Sequence, residues 1–477
     1  MSAAAPLVAG VDSSTQSTKV EIRRLDTGEV VAAASAPHPG TTPPRSEQDP
    51  AAWLQAFETA WAAVGSPEVA AISIAGQQHG MVVLDAEGQV LRPAKLWNDT
   101  ESAPDAGWLL KQLPDRAEGW ANAVGSVPTA SFTATKLSWL HRSEPDTWAK
   151  LAHVLLPHDW LTSQLARSFT TDRGDASGTG YWSPATGEYR WDLLGVIDRE
   201  RDWTDVVPRV AGPLEVVGTW RGAKVAVGTG DNMGAALGLG VTAGRAVVSL
   251  GTSGTAFTVA DAPTADASGA VAGFADATGR FLPLVCTLNA TKVLNATARL
   301  LAVDRAGFDA LASAAPAGAG GLTLLPYFDG ERTPNLPSAT GLLAGLRSDV
   351  SREQLARAAV EGVVCGMLDA LDALMAHAPV TSVVLTGGGA RSAAVRQVFA
   401  DLCGVPVSLS TADEAVATGA CVQAAAVALE VDHHEVIRRW GLGGSTEVPA
   451  SASGGRDTAA AVRGAYAAVR DRQYPPA

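Results

Sequence analysis

Cysteine is scarce in this 477-residue chain, which has only Cys286, Cys365, Cys403 and Cys421. No two stand at C-x-x-C spacing, which argues against a thiolate metal site or a redox dithiol and favours buried thiols in a reducing compartment. Positive charge is also short. The 36 Lys and Arg against 49 Asp and Glu leave a formal charge of −13. A chain without a basic surplus is poorly suited to a nucleic-acid backbone or an anionic membrane, although a small phosphorylated ligand needs only a local site. No apolar run is long and charge-free enough to cross a bilayer, and no basic segment followed by a long apolar one opens the chain. A cytoplasmic protein without nucleic-acid or membrane partners is expected. Two nucleotide motifs are missing as well. There is no GxxxxGK[ST], and no glycine-rich loop followed by HRD and DFG, so P-loop and protein-kinase architectures are excluded.

What the chain has is core material for two or more domains: 47% hydrophobic residues and 18% charged. Its centre is the stretch Val225 to Thr258. An apolar run at 225–227 stops at Gly228-Thr229-Gly230, and Asp231 and Asn232 follow where a helix should begin. A second apolar run, 246–250, breaks into Gly251-Thr252-Ser253-Gly254-Thr255. A carboxylate at a strand-to-helix corner suits proton abstraction. A Gly/Ser/Thr turn between strands suits phosphate oxygens, held by backbone N–H groups and hydroxyls.

The N-terminus repeats the second layout. An apolar strand at 7–11 ends at Asp12, the turn Ser13-Ser14-Thr15-Gln16-Ser17-Thr18-Lys19 follows, and a second strand begins at 20. This weak self-similarity predicts two related α/β domains, each with one phosphate turn. A helix is predicted from Pro50 to about 64, capped by Asp49. The strand after it ends at Gly76-Gln77-Gln78-His79-Gly80, and a later extended stretch ends at Trp97-Asn98-Asp99. Strand ends are where open α/β sheets place ligands. Residues 170–180, rich in Thr, Asp, Ser and Gly, read as a loop whose purpose stays open. Ser351 and Gln354 form a capping box for a helix through 375. The strand 380–386 runs into Gly387-Gly388-Gly389-Ala390, a turn that lets backbone approach a nucleotide. His433 and His434 point apart on a helix and read as solvated surface. Three Gly/Ser/Thr turns after strands, with the two nucleotide motifs excluded, fit an actin-like ATPase layout best.

These stretches together resemble the FGGY carbohydrate kinases, and within them the xylulokinase branch, over nearly the whole chain and in the family's order. Asp12 to Lys19 is similar to the first phosphate motif, and Gly76 to Gly80 and Trp97-Asn98-Asp99 to the sugar-contact turns. SFTATKLSWL at 131–140 resembles one family signature and 341–361 another. Gly228 to Asn232 resembles the catalytic turn, 249–255 the second phosphate motif, Gly330-Glu331-Arg332-Thr333-Pro334 a further xylulokinase stretch, and 386–391 the adenosine motif. Ser14 stands where the family usually has Gly, and Gln78 where the branch commonly has Met.

The resemblance implies two ribonuclease-H-like (actin-like ATPase) domains facing a central cleft and closing on their substrates. A sugar-binding domain would span 1–243 and a nucleotide-binding domain 244–477. It implies ATP and Mg²⁺ as cofactors and a ketopentose, D-xylulose, as acceptor; it leaves room for a homodimer. Asp231 is the expected general base, and its corner position is expected to keep it clear of an apolar wall. Asp12 is the expected organiser of Mg²⁺. Gln78, His79, Trp97, Asn98, Asp99 and Asn232 are expected at the sugar. Ser13, Ser14, Thr15, Lys19, Gly251, Thr252, Ser253, Thr255, Gly387, Gly388, Gly389 and Ala390 are expected at the nucleotide. The alternatives are a kinase of the same family for another sugar, polyol or sugar acid, an actin-like nucleotide switch with protein partners, and a catalytically silent sugar sensor.

Overall fold

The computed structural model describes residues 6–451 and 455–475. It divides into two compact units, and not at a single cut near 243. The first unit takes Met1–Val241 together with Ala260–Leu282 and Ala412–Gly444; the second takes Thr242–Val259, Pro283–Thr411 and Ser445–Ala477. Two later segments thus return to the first unit.

The first unit is built on a mixed sheet. Strand Leu7–Ser13 pairs antiparallel with Ser17–Arg24, which pairs with Val30–Pro37. On its other side Leu7–Ser13 lies parallel to Ala71–Gly76, which lies parallel to Ala223–Ala226. Val8, Ala9 and Val11 are all buried, because both faces of the sheet are covered. Helix Pro50–Ala63 covers one face. Asp49 caps it by accepting from Ala51 N, and Pro50 supplies the first helical position. Its buried residues Trp53, Phe57, Ala60 and Trp61 follow helical spacing and join Ile72, Ile74 and Trp160 in one core.

The other face is covered by helix Ala415–Leu429, in contact with Val8, Ala71 and Ala226. The contact is close because glycines permit it. A Cβ on Gly10 would fall 2.2 Å from Ala417 O. Helix Asp231–Gly238 crosses the same helix equally closely: a Cβ on Gly419 would fall 1.8 Å from Gly234 O, and one on Gly238 would fall 1.9 Å from Ala415 O.

The second unit repeats the strand order. Gly244–Leu250 pairs antiparallel with Gly254–Phe257, which pairs through residues 284–287 with the next strand. It lies parallel to Val380–Thr386, which lies parallel to Val407–Ser410. The capping box at Ser351 and Gln354 opens helix Arg352–Met375. One surface expectation is overturned. His433 is buried, and loss of hydration pushes its imidazole down to about 4. The ring faces into the first unit because it opens a short helix that follows Ala415–Leu429. Among the described residues no single helix is long and apolar enough to cross a membrane.

The backbone contact between helices predicts that Gly419→Ala destabilises the first unit by about 1–3 kcal/mol, as overpacking of a filled interior does. Urea unfolding measures it; an unchanged midpoint would contradict the packing described.

Candidate active site

In the first unit, the sheet register places two aspartates at one edge. Ala75 pairs with Asp12 on one side and with Thr229 on the other, and Gly76 pairs with Ser13 and Gly230. Asp231 then begins its helix. Both carboxylates therefore stand at the carboxyl ends of parallel strands, where sheets of this kind hold ligands.

Both aspartates are half-buried. Burial pushes Asp12 up to about 7, with Ser14 donating to the carboxylate, Glu414 adding like charge and Lys19 offsetting it. Burial likewise pushes Asp231 up to about 7, reinforced by the negative charges of Asp12 and Asp175. Asp12 Oδ1 is buried without a hydrogen-bond partner among the described residues. Such an oxygen beside a second carboxylate fits a hard, oxygen-seeking cation.

The first phosphate turn is half-buried at Ser14 and Thr15. Ser13 turns inward and accepts from Thr18 Oγ1. Lys19 forms an ion pair with Glu414, brought in by the returning segment. Trp97 joins this turn, donating from Nε1 to Thr15 Oγ1 at 2.9 Å.

His79 sits at the next strand end in the left-handed region, at φ 65°. Its Nδ1 meets Gly178 O at 2.7 Å, so Nδ1 carries the proton and Nε2 is the acceptor of the neutral ring. Gly178 has no room for a side chain, since a Cβ would lie 2.5 Å from Nδ1. Phe132 and Phe274 flank the ring, with centroids 4.9 and 5.5 Å away.

Asn232 donates from its backbone N and from Nδ2 to Asp231 Oδ1, at 2.8 and 2.9 Å. The same Nδ2 reaches Gln78 Oε1 at 2.9 Å. Asn98 is half-buried, with Oδ1 unpartnered among the described residues.

Asp99 does not join these groups. It is fully buried and accepts from Ser46 N, Glu101 N and Lys95 Nζ. Lys95 Nζ also meets Glu47 at 3.0 Å and Glu101 at 2.6 Å, and lies 3.9 Å from the Trp139 ring centre. Asp99 therefore anchors the turn that carries Trp97 and Asn98, because a buried ammonium demands its charge.

In the second unit, Ser249 and Thr255 pair across the turn Gly251 to Thr255. The turn is pinned from behind: Thr291 donates from N and from Oγ1 to Gly251 O, and Ala290 N donates to Thr252 O. Gly387 adopts φ 85° against the Leu250 backbone, and Gly389 packs on Thr291 and Leu250. Gly387 and Gly388 are exposed, whereas Gly389 and Ala390 are buried. A cavity of about 280 Å³ opens beside Gly389, lined in part by Asn295, Arg299, Phe308, Asp309 and Ser392. Asn295, Arg299, Phe308 and Asp309 escaped sequence reasoning, since they come from two helices with ordinary amphipathic patterns, while Ser392 caps the helix after the glycine turn. Another group was also missed. His158, Asp159, Asp172 and Asp175 are buried together behind Gln78.

A family model for the FGGY carbohydrate kinases, N-terminal domain, matches residues 7–238, and one for the C-terminal domain matches 246–428. The chain belongs to the FGGY family of carbohydrate kinases. It is 48% identical over 454 residues to a xylulose kinase of Streptomyces coelicolor, and 47% identical over 454 residues to one of Streptomyces rubiginosus. Each alignment covers 92% of this chain and 92% of the relative. A solved structure of xylulose kinase from Bifidobacterium adolescentis superposes with a TM-score of 0.84 at 39% identity, over 98% of this chain and 99% of that one.

The cluster around Lys95 predicts that Lys95→Met costs about 3–5 kcal/mol, because it strands the fully buried Asp99 without a cation, whereas Glu47 and Glu101 keep Arg92 and Arg45. A urea midpoint equal to that of the parent would show that Asp99 is not committed to this cluster.

Proposed function

We propose that this FGGY kinase transfers the γ-phosphoryl group of ATP to the 5-hydroxyl of D-xylulose, giving D-xylulose 5-phosphate and ADP. The observation that carries the reading is the half-buried aspartate pair at the carboxyl ends of the parallel strands, in a chain so similar to xylulose kinases. A sugar hydroxyl is a weak nucleophile at neutral pH. Asp231, with its pKa lifted to about 7, is a much better proton acceptor than an ordinary aspartate and is still substantially ionised at neutral pH. As the hydroxyl oxygen bonds to phosphorus, its proton passes to Asp231, and the bond to the bridging oxygen of ADP breaks.

His79 would fix a sugar hydroxyl through Nε2, and Trp97 would lie against the sugar from the first phosphate turn. The Gly251 to Thr255 turn would hold phosphate oxygens, and the Gly387 to Ala390 turn with the Phe308 and Asp309 cavity would hold the nucleoside. Asp12 would hold Mg²⁺, largely through water, and that ion would neutralise charge on the phosphates.

Asp231→Ala should lower kcat by about 10²–10⁴ while sugar and nucleotide still bind. Retention of more than about a tenth of the parent kcat would remove Asp231 from the base role. In the parent, kcat/KM for sugar should fall as pH drops through about 7, because protonation removes the base. An acid limb near the ordinary aspartate range would contradict the burial-raised pKa. A coupled ADP-release screen over sugars, polyols and sugar acids, with the product phosphate located by NMR, tests the acceptor. A strong preference for another acceptor would overturn the D-xylulose assignment, and sugar-independent ATP turnover would favour a nucleotide switch.

A further inference from the structure

In the second unit the side chain of Glu331 is buried and gathers N–H donors. Its Oε1 accepts from Leu288 N at 2.6 Å and from Arg332 N at 2.7 Å. Its Oε2 accepts from Asn289 Nδ2 at 2.9 Å, and the same nitrogen donates to Gly330 O at 2.7 Å. An ionised carboxylate offers only acceptors, which suits this set of donors. The loop that carries Glu331 is itself fixed: Glu331 N donates to Leu336 O, Leu336 N donates back, and Gly330 N donates to Ala339 O.

Leu288 and Asn289 belong to the link between the strand that ends at Thr287 and helix Thr291–Leu300. Ala290 stands at the N-cap of that helix and has no side-chain acceptor to fix how the chain enters it. Glu331 supplies that restraint by gripping the two residues just before. Asp329, on the same loop, adds a second grip by pairing with Lys292 Nζ at 2.9 Å.

The link in turn sets the phosphate turn. Thr291 donates to Gly251 O from N at 3.0 Å and from Oγ1 at 2.7 Å, and Ala290 N donates to Thr252 O at 3.2 Å. In a planar trans peptide unit the C=O and the N–H point in opposite directions. Drawing the Gly251 and Thr252 carbonyls onto the link therefore turns the N–H groups of Thr252 and Ser253 away from it, on a turn where Thr252 is exposed. Successive N–H groups presented together make a concavity for an anion. Thr291 also serves the second glycine turn, since its methyl lies against Gly389.

We propose that Glu331 is a positioning residue for ATP: by clamping Leu288 and Asn289 it aims the Thr252 and Ser253 N–H groups at phosphate oxygens. This rests on the reading of Gly251 to Thr255 as a phosphate turn.

The test compares calorimetric titrations of a non-hydrolysable ATP analogue and of adenosine into the parent and Glu331→Gln, with kcat and both KM values alongside. Whichever way the Gln amide is placed, its NH₂ group meets a donor. If Asn289 turned its own amide in answer, Oδ1 would face Gly330 O, two acceptors in contact. Glu331→Gln should weaken the analogue by about tenfold or more, the scale of a lost hydrogen bond to a charged group. Removing a negative charge would by itself favour an anion, so a loss has the sign of lost positioning. Adenosine, without phosphates, should bind within about twofold of the parent, and KM for sugar should stay within about twofold while KM for ATP rises. Equal losses for the analogue and adenosine, or no loss for either, would overturn the proposal.

Should Glu331→Gln fail to fold, Thr291→Val answers with Glu331 intact. It keeps a methyl against Gly389 and removes one of the two donors to Gly251 O. It should weaken the analogue by about threefold or more and leave adenosine unchanged, in line with one hydrogen bond. An analogue affinity equal to that of the parent would overturn the proposal. A parent that binds the analogue no more tightly than adenosine would overturn the phosphate-turn reading, and the role of Glu331 with it.

Discussion

The close seating of helix Ala415–Leu429 in the first unit is the constraint on which the remainder depends. Gly10 admits it to the central strand, and Gly419 with Gly234 admits it to the helix that begins at Asp231. Asp12 ends that strand and Asp231 begins that helix. One packing contact therefore fixes the two ends of the elements that present the carboxylates. It also brings Glu414, and with it the partner of Lys19, to the first phosphate turn. Interiors packed at this density leave little room for adjustment. A Cβ added at Gly10 or Gly419 would meet backbone at 2.2 or 1.8 Å, so the helix could not keep its seat.

Within that frame the electrostatics are set by exclusion of water. Asp12 and Asp231 are raised by burial, Asp12 further by the charge of Glu414 and Asp231 by those of Asp12 and Asp175. The same low-dielectric surroundings make the charges behind them consequential. The His158 cluster balances three carboxylates with one imidazolium, and the Lys95 ammonium meets three carboxylates, of which Glu47 and Glu101 also pair with Arg92 and Arg45. The first cluster lies behind the base and the second under the turn carrying Trp97. Buried charge is costly unless paired, so both arrangements tie local geometry to complete sets of partners.

Features with local causes were legible in the sequence. A strand that stops at a glycine or hydroxyl turn announces itself, and so do a Pro50 helix start with an Asp49 cap and a Ser351 capping box. The strand order of both units follows from apolar runs broken at Asp12, Gly76, Gly251 and Gly387. What escaped depends on partners far along the chain. Asp99 looked like a ligand group because Glu47, which shares Lys95 with it, belongs to another strand. The bond between Gln78 and Asn232 spans 154 positions. The stretch 170–180 looked like a polar loop, yet all of it except Arg173 is buried. Its signal was present in the form of aspartates, hydroxyls and glycines without a single lysine, a composition suited to internal hydrogen bonding. The return of Ala412–Gly444 to the first unit left no local mark at all.

That return has a consequence for how the chain is made. Synthesis runs from the N-terminus, and domains commonly fold as they emerge. Here the sheet of the first unit is finished early, but one of its faces waits for a helix that follows the whole of Pro283–Thr411. Until then Val8, Ala71 and Ala226 have no cover, and the helix starting at Asp231 has nothing to cross. Such distant contacts slow folding, because a long loop must be closed before they form. The nascent chain therefore lacks the cover of this apolar sheet face throughout the synthesis of Pro283–Thr411, a window in which chaperone capture competes with aggregation and which closes when Ala415–Leu429 arrives.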